Sequence, residues 1–279
     1  MMTEQFIGTN GIKLHYIEYP AENKPVLLLL HGLTANAHAF DGLVAKGLDK
    51  YFHLVMPDLR GRGLSDKPAF NYSLADHARD ILGLMDHLGV RQVLLGGHSY
   101  GAFLSTYIAV YYPDRVRKLV ILDAAAEMNP NSLEMLGPTL GRLDKTYVSF
   151  DTYLDEMKAA PQNTFWDESM FSYYHADVQF KDDGTVNPYP NLANIIRIAT
   201  GLGAEPWKET FGKVKQPAIL INAADNYTMD EPLLPDFKAM ETVGLMPDCR
   251  YVKVDGNHQT MLYGAGAIQT VHAIAAFAG

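Results

Sequence analysis

Gly97-His98-Ser99-Tyr100-Gly101 is the run of residues with the plainest chemistry in this chain. It follows the apolar stretch 92–96 and precedes a helix-forming stretch that ends at Pro113. Gly-x-Ser-x-Gly at a strand-to-helix turn is the spacing that exposes a serine hydroxyl as a nucleophile. The turn is so sharp that side chains two positions to either side would collide, so Gly97 and Gly101 form a nucleophile elbow around Ser99. The first amides of the following helix, at its positive dipole end, face any oxyanion that grows beside the serine. A dinucleotide loop is excluded, because Gly-x-Gly-x-x-Gly would need glycine where His98 stands.

A serine nucleophile needs a base. Ten histidines are present, and chain order narrows them, since with this elbow the acid follows the serine and the histidine follows the acid. Only His258 and His272 lie far enough downstream. His272 sits among Val271, Ala273 and Ile274 and reads as a helix-face residue. His258 follows the apolar run 250–254 in the loop Asp255-Gly256-Asn257-His258, where a base can turn towards Ser99.

The acid must orient the imidazole and stabilise its charged form. Asp225, in Asn222-Ala223-Ala224-Asp225 after the run 217–221, is the expected acid. Asp123, after the run 118–122, is its rival, with a structural carboxylate for nearby amides as the other reading of Asp123. Asp255 is too close to His258 in sequence. The expected oxyanion donors are the backbone N–H groups of Tyr100 and of Leu33, in His31-Gly32-Leu33-Thr34. His31 reads as a residue that braces this loop. Asp58 and Arg60, in Asp58-Leu59-Arg60-Gly61-Arg62-Gly63-Leu64-Ser65-Asp66, likewise read as loop braces rather than a phosphate site. There is no His-Glu-x-x-His and no His-x-His, so no metal is expected.

These residues need elements to hold them. Six short apolar runs (26–30, 53–56, 92–96, 118–122, 217–221 and 250–254) read as strands, the first continuously apolar as a strand buried on both faces should be. Residues 6–7 and 13–16 alternate and read as an edge hairpin around Asn10-Gly11. Helical patterns lie between the runs. One begins at Ser73 with Asp76 in capping-box position and ends at Gly89. Strands alternating with helices predict an α/β protein with a mostly parallel sheet covered on both faces. The alternation breaks over residues 127–209, where aromatic residues crowd in without a buried-strand run. The expected organisation is a core of residues 1–126 and 210–279 with a helical insertion at 127–209, whose aromatics form its own small core while a few line a pocket.

Composition sets the wider bounds. A chain of 279 residues, 48% hydrophobic, is long enough for a full core. A net charge of −9 without a basic cluster argues against nucleic acid and anionic membranes as partners. The single cysteine, Cys249, allows no internal disulfide and fits a reducing compartment. The opening residues lack a basic start followed by an apolar run, so the expectation is a cytoplasmic protein, monomer or homodimer, acting on a small molecule.

Taken together, His31-Gly32, the run from Asp58 to Ser65, Gly97-His98-Ser99-Tyr100-Gly101, Asp225 and His258 resemble the α/β-hydrolase superfamily over nearly the whole chain outside 127–209. Within it the chain is similar to the branch of small carboxylesterases, lactonases, meta-cleavage C–C hydrolases and cofactor-free haloperoxidases. The resemblance implies an eight-stranded, mainly parallel sheet flanked by helices, a helical cap, and acyl-enzyme catalysis without a cofactor. Ser99 argues against the dehalogenase and epoxide-hydrolase branches, which carry aspartate there. The loop after His31-Gly32 reads Leu33-Thr34-Ala35-Asn36 in place of the commoner Gly-x-Gly. The opening His31-Gly32-Leu33-Thr34-Ala35 also resembles hydrolases of acetamidomethylene-succinate, a dicarboxylate, although the insertion offers no arginine pair suited to two carboxylates. The expected function is a serine carboxylesterase for small to medium, moderately apolar esters. C–C, lactone or amide cleavage by the same triad, and a slow receptor-like hydrolase, stand as alternatives.

Overall fold

The computed structural model describes all 279 residues. Strands β1 (Thr3–Thr9) and β2 (Ile12–Tyr19) close on Asn10 and Gly11, whose φ angles are 45° and 76°. A type I′ two-residue hairpin turn requires two positive φ values, and Asn-Gly adopts them with least strain. The chain continues through β3 (Val26–Leu30), β4 (His53–Pro57), β5 (Val93–His98) and β6 (Val116–Leu122). A short hairpin, β7 (Val178–Phe180) and β8 (Val186–Pro188), precedes β9 (Ala218–Ala223) and β10 (Cys249–Val254). Eight strands form one sheet in the order β1-β2-β4-β3-β5-β6-β9-β10. The pairs β1–β2 and β2–β4 are antiparallel, and every other pair in this sheet is parallel.

The apolar runs work because both faces of the sheet are covered. Leu28, Leu30, Leu95, Ile121 and Leu220 pack on one face, under the helices Leu74–His87 and Tyr100–Tyr111. Leu27, Leu29, Leu94, Val120 and Ile219 pack on the other, with the helix Gly264–Ala278. Each such side chain contributes about 1.5–3 kcal/mol by leaving water. Helix Leu74–His87 begins at the expected capping box: Ser73 Oγ accepts the Asp76 N–H at 3.1 Å, and the Asp76 carboxylate accepts the Ser73 N–H at 3.0 Å. Gly89, at φ 67°, follows its end.

The segment 127–209 departs from expectation in two ways. It contains the β7–β8 hairpin as well as helices, among them Phe150–Lys158, Ser169–His175 and Leu192–Gly203. Strands of three residues are too short to leave an apolar run in the sequence. Its aromatics do pack on one another, Tyr153 against Tyr147 and Tyr174 and Trp166 stacked on Tyr174, and the cluster runs on into the main core. Tyr153, Tyr173 and Tyr174 belong to the same buried cluster as the sheet residues Leu94, Val120 and Ile219. The chain has already entered the helix Trp207–Gly212 by residue 210, so that seam falls inside an element.

Candidate active site

The carboxyl end of β5 delivers Ser99. Its φ and ψ are 54° and −118°, a conformation L-residues rarely adopt. Neighbouring bonds enforce it: the Ser99 N–H donates to the Leu122 carbonyl at 3.0 Å, and the Ser99 carbonyl accepts the Ala102 and Phe103 N–H groups at 2.9 and 3.2 Å. The flanking glycines are sterically required. A Cβ on Gly97 would lie 2.2 Å from the Gly101 carbonyl carbon, and one on Gly101 would lie 1.9 Å from the Leu30 oxygen. Ser99 itself stays partly exposed at the sheet edge.

His258 follows β10, and its Nδ1 lies 2.7 Å from Asp123 Oδ2. The acid beside the imidazole is therefore Asp123, and the expectation of Asp225 is corrected. Asp225 is exposed, and its carboxylate accepts the Gly256 N–H at 3.1 Å, upstream of the histidine. The difference lies in how the two strands end. Asp123 comes directly after β6, at φ 52°, and is fully buried. Across the sheet, β9 supplies donors for its Oδ1, the Ala223 N–H at 2.8 Å and Asn222 Nδ2 at 2.9 Å. Oδ2 is left to face His258. Asp225 lies two residues beyond the end of β9, where the chain has already turned outward.

Other residues that sequence reasoning did not single out hold His258. His98 donates from Nε2 to the His258 carbonyl at 2.7 Å, and the two rings lie 4.5 Å apart. Asn257 accepts the Gln259 and Thr260 N–H groups, both at 2.9 Å, and donates to the Gln162 carbonyl at 3.0 Å. The Tyr227 ring meets His258 edge-on at 5.5 Å. The Tyr251 hydroxyl donates to Asn222 Oδ1 at 2.9 Å, steadying the amide that holds Asp123. An Asn immediately before a loop histidine, and another closing a buried strand, are the only sequence signals these contacts left. With Nδ1–H given to Asp123, the imidazole presents Nε2 as the atom able to accept a proton.

The N–H groups of Leu33 and Tyr100 donate to no protein acceptor. The surrounding loops read as braces, as expected. His31 donates from Nδ1 to the Gly32 carbonyl at 2.8 Å and accepts the Leu59 N–H on Nε2 at 2.9 Å. Asp58 takes N–H bonds from Ala37 and Leu64 and pairs with His15, each at 2.8 Å. Arg60 forms a two-pronged pair with Asp80 at 2.6 and 2.5 Å. In the inserted segment, buried Arg142 uses all five N–H donors on Asp177, Thr34 and the Thr139 carbonyl. Arg197 lies at the surface, with one Nη on the Ala69 carbonyl. His272 is exposed, and burial pushes the Cys249 thiol up to about 12, which leaves it inert.

Burial holds three imidazoles neutral. His31 is lowered to about 4, by desolvation first and by the Arg62 charge second, and His77 and His98 are held well below the ordinary value of 6.5. The unfolded chain takes up these protons near pH 6.5, whereas the fold resists them. Their stabilisation is complete above that pH and is lost as pH falls towards the folded values. Calorimetric melting temperatures should drop as pH is lowered from about 6.5 to about 4. A flat profile over that window would contradict neutral burial.

Among known proteins, the family model described as alpha/beta hydrolase fold matches residues 25–265. The 2-(acetamidomethylene)succinate hydrolase of Mesorhizobium japonicum is 28% identical over 236 residues, which cover 83% of this chain and 80% of that protein. A crystal structure of E-2-(acetamidomethylene)succinate hydrolase matches with a TM-score of 0.87 at 25% identity, over 100% of this chain and 99% of that one. Epoxide hydrolase 3 of Siraitia grosvenorii is 36% identical over 118 residues, 42% of this chain and 37% of that protein.

Proposed function

We propose that this chain, which belongs to the α/β-hydrolase fold family, is a serine hydrolase that cleaves carboxylic esters of small to medium, moderately apolar substrates. The observation that carries the reading is the strained Ser99 at an elbow, served by a histidine whose Nδ1 is 2.7 Å from a fully buried carboxylate. The substrate carbonyl oxygen receives the free N–H groups of Leu33 and Tyr100. Ser99 Oγ attacks the carbonyl carbon as His258 Nε2 takes its proton, and the carbonyl π pair moves onto oxygen. Asp123 keeps the Nδ1–H tautomer and stabilises the imidazolium. Collapse of the tetrahedral intermediate expels the alcohol, which leaves with the proton from His258. Water then attacks the acyl-enzyme, giving its proton to His258, and the acid departs as Ser99 regains a proton.

A second reading keeps the same residues and changes the bond. It is favoured by the nearly full-length likeness to 2-(acetamidomethylene)succinate hydrolase. A succinate carries two carboxylates. Against it stands Arg142, whose guanidinium has no donor left for a substrate. The epoxide-hydrolase likeness covers less than half of this chain, and a serine at the elbow does not supply the aspartyl ester of that chemistry.

Purified protein offered p-nitrophenyl acetate, butyrate and octanoate beside 2-(acetamidomethylene)succinate separates the two. Ester turnover with no reaction of the dicarboxylate is the expected result. Fast consumption of the dicarboxylate with silent esters would overturn the ester reading and favour the second.

A further inference from the structure

A trans peptide points each N–H away from the preceding carbonyl, so the direction of the Leu33 N–H is fixed by whatever holds the Gly32 carbonyl. That carbonyl accepts His31 Nδ1–H at 2.8 Å and the Ala35 N–H at 3.3 Å. The next two carbonyls are tied as well. Leu33 accepts Arg62 Nε–H at 2.9 Å, and Thr34 accepts Arg142 Nη2–H at 3.1 Å. Three successive carbonyls are thus tied down, and two of them by guanidinium groups.

Arg62 differs from the other buried arginines. Arg60 is paired with Asp80 and Arg142 with Asp177. Arg62 is fully buried, its Nη1 donates to the Arg60 carbonyl at 2.6 Å and to His77 Nε2 at 2.8 Å, and its Nη2 has no partner. Its guanidinium carbon stands 5.0 Å from the centre of the Tyr100 ring. One cation therefore touches both residues whose free N–H groups face the carbonyl oxygen in the proposed reaction. Its backbone is held in place by Gly61 and Gly63, at φ 81° and 45°, and a Cβ on Gly63 would lie 2.1 Å from Asp58 Oδ2. Burying a cation without a carboxylate is costly, and an apolar side chain of similar volume would pack there at lower cost. A purely space-filling role does not account for it.

We infer that Arg62 is a positioning residue of the oxyanion hole: it fixes the Leu33 loop by its carbonyl and the Tyr100 residue by its ring, and sets a positive charge behind the developing oxyanion. The inference rests on the serine-hydrolase reading. Fields and donors arranged before reaction favour the transition state over the bound substrate, so loss of Arg62 acts on turnover and spares ground-state binding.

The test compares wild type, Arg62→Met and Arg62→Lys in p-nitrophenyl butyrate hydrolysis and in inhibition by phenethyl trifluoromethyl ketone and its methyl ketone counterpart. The trifluoromethyl ketone mimics the intermediate: Ser99 Oγ bonds to the carbonyl carbon, the serine proton passes to His258, and the carbonyl oxygen becomes an alkoxide. The methyl ketone binds without that charge. Arg62→Met should lower kcat about 10- to 100-fold with little change in KM, and weaken the trifluoromethyl ketone by the same factor while sparing the methyl ketone. Arg62→Lys, which keeps the charge, should recover part of the loss. Unchanged kcat in Arg62→Met, or equal weakening of both ketones, would overturn the inference. Should the Met variant not fold, Arg62→Gln, which removes the charge but keeps polar donors, takes its place in the same comparison. A wild type that neither hydrolyses the ester nor responds to the trifluoromethyl ketone would instead remove the hydrolase reading itself.

Discussion

Ser99→Ala should abolish covalent labelling by a fluorophosphonate probe and lower ester turnover on the order of 10⁴-fold or more. The substitution removes one oxygen from a partly exposed position and leaves the elbow bonds intact, since those run through the backbone of residue 99. The melting temperature should therefore stay close to that of wild type, and the loss is read as chemistry rather than unfolding. The residual rate belongs to the oxyanion donors and to binding, which a missing nucleophile does not remove. Labelling of wild type alone would identify Ser99 as the activated nucleophile. Full turnover in the alanine variant would sink the assignment.

Asp123→Asn should cost about 10³- to 10⁴-fold in kcat, whereas Asp225→Asn should stay within about threefold of wild type. The first substitution is nearly isosteric, and its carbonyl can still accept the Ala223 N–H and the Asn222 amide. Its NH₂ then faces His258 Nδ1 and forces that nitrogen to accept. The proton moves to Nε2, the atom that must take the serine proton, and the base is in the wrong tautomer. At position 225 an asparagine oxygen can keep the bond to the Gly256 N–H, and the side chain is exposed. Steady-state kinetics of the two variants decides the matter. A large loss at 225 with a mild one at 123 would restore the acid expected from the sequence.

That exchange of one aspartate for another marks where the sequence stops being readable. The buried strands are legible because two covered faces demand unbroken apolar runs, and the elbow because only glycine fits against Gly101 and Leu30. His258 follows from chain order. The acid does not, since β6 and β9 are neighbours and each is followed by an aspartate. Their difference is a matter of backbone direction and of donors reaching across from Asn222 and Ala223, neither of which has a pattern along the chain. Asp123 did carry one local sign, its place directly at the end of an apolar run and before Ala124-Ala125. The β7–β8 hairpin left no run at all, because its strands are short and half exposed. Arg62 and His98 make contacts with residues distant in sequence, as does Asn257 with Gln162, and periodicity holds no record of such pairs.

The packing of the inserted segment also limits how the site can breathe. Tyr153, Tyr173 and Tyr174 lie in one cluster with the sheet, and Arg142 joins Asp177 to the loop at Thr34. Swinging the segment away as a rigid body would wet those rings and break the Arg142 bonds to Thr34, at a cost of several kcal/mol, a large share of the whole stability of many folded domains. Such an excursion is rare enough to be part of global unfolding rather than of turnover. On the proposed reading, traffic to and from Ser99 would be left to side-chain rotations and short turns, which move in nanoseconds to microseconds. In the proposed hydrolase the segment would then act as a fixed sieve, choosing substrates by shape rather than by closing over them.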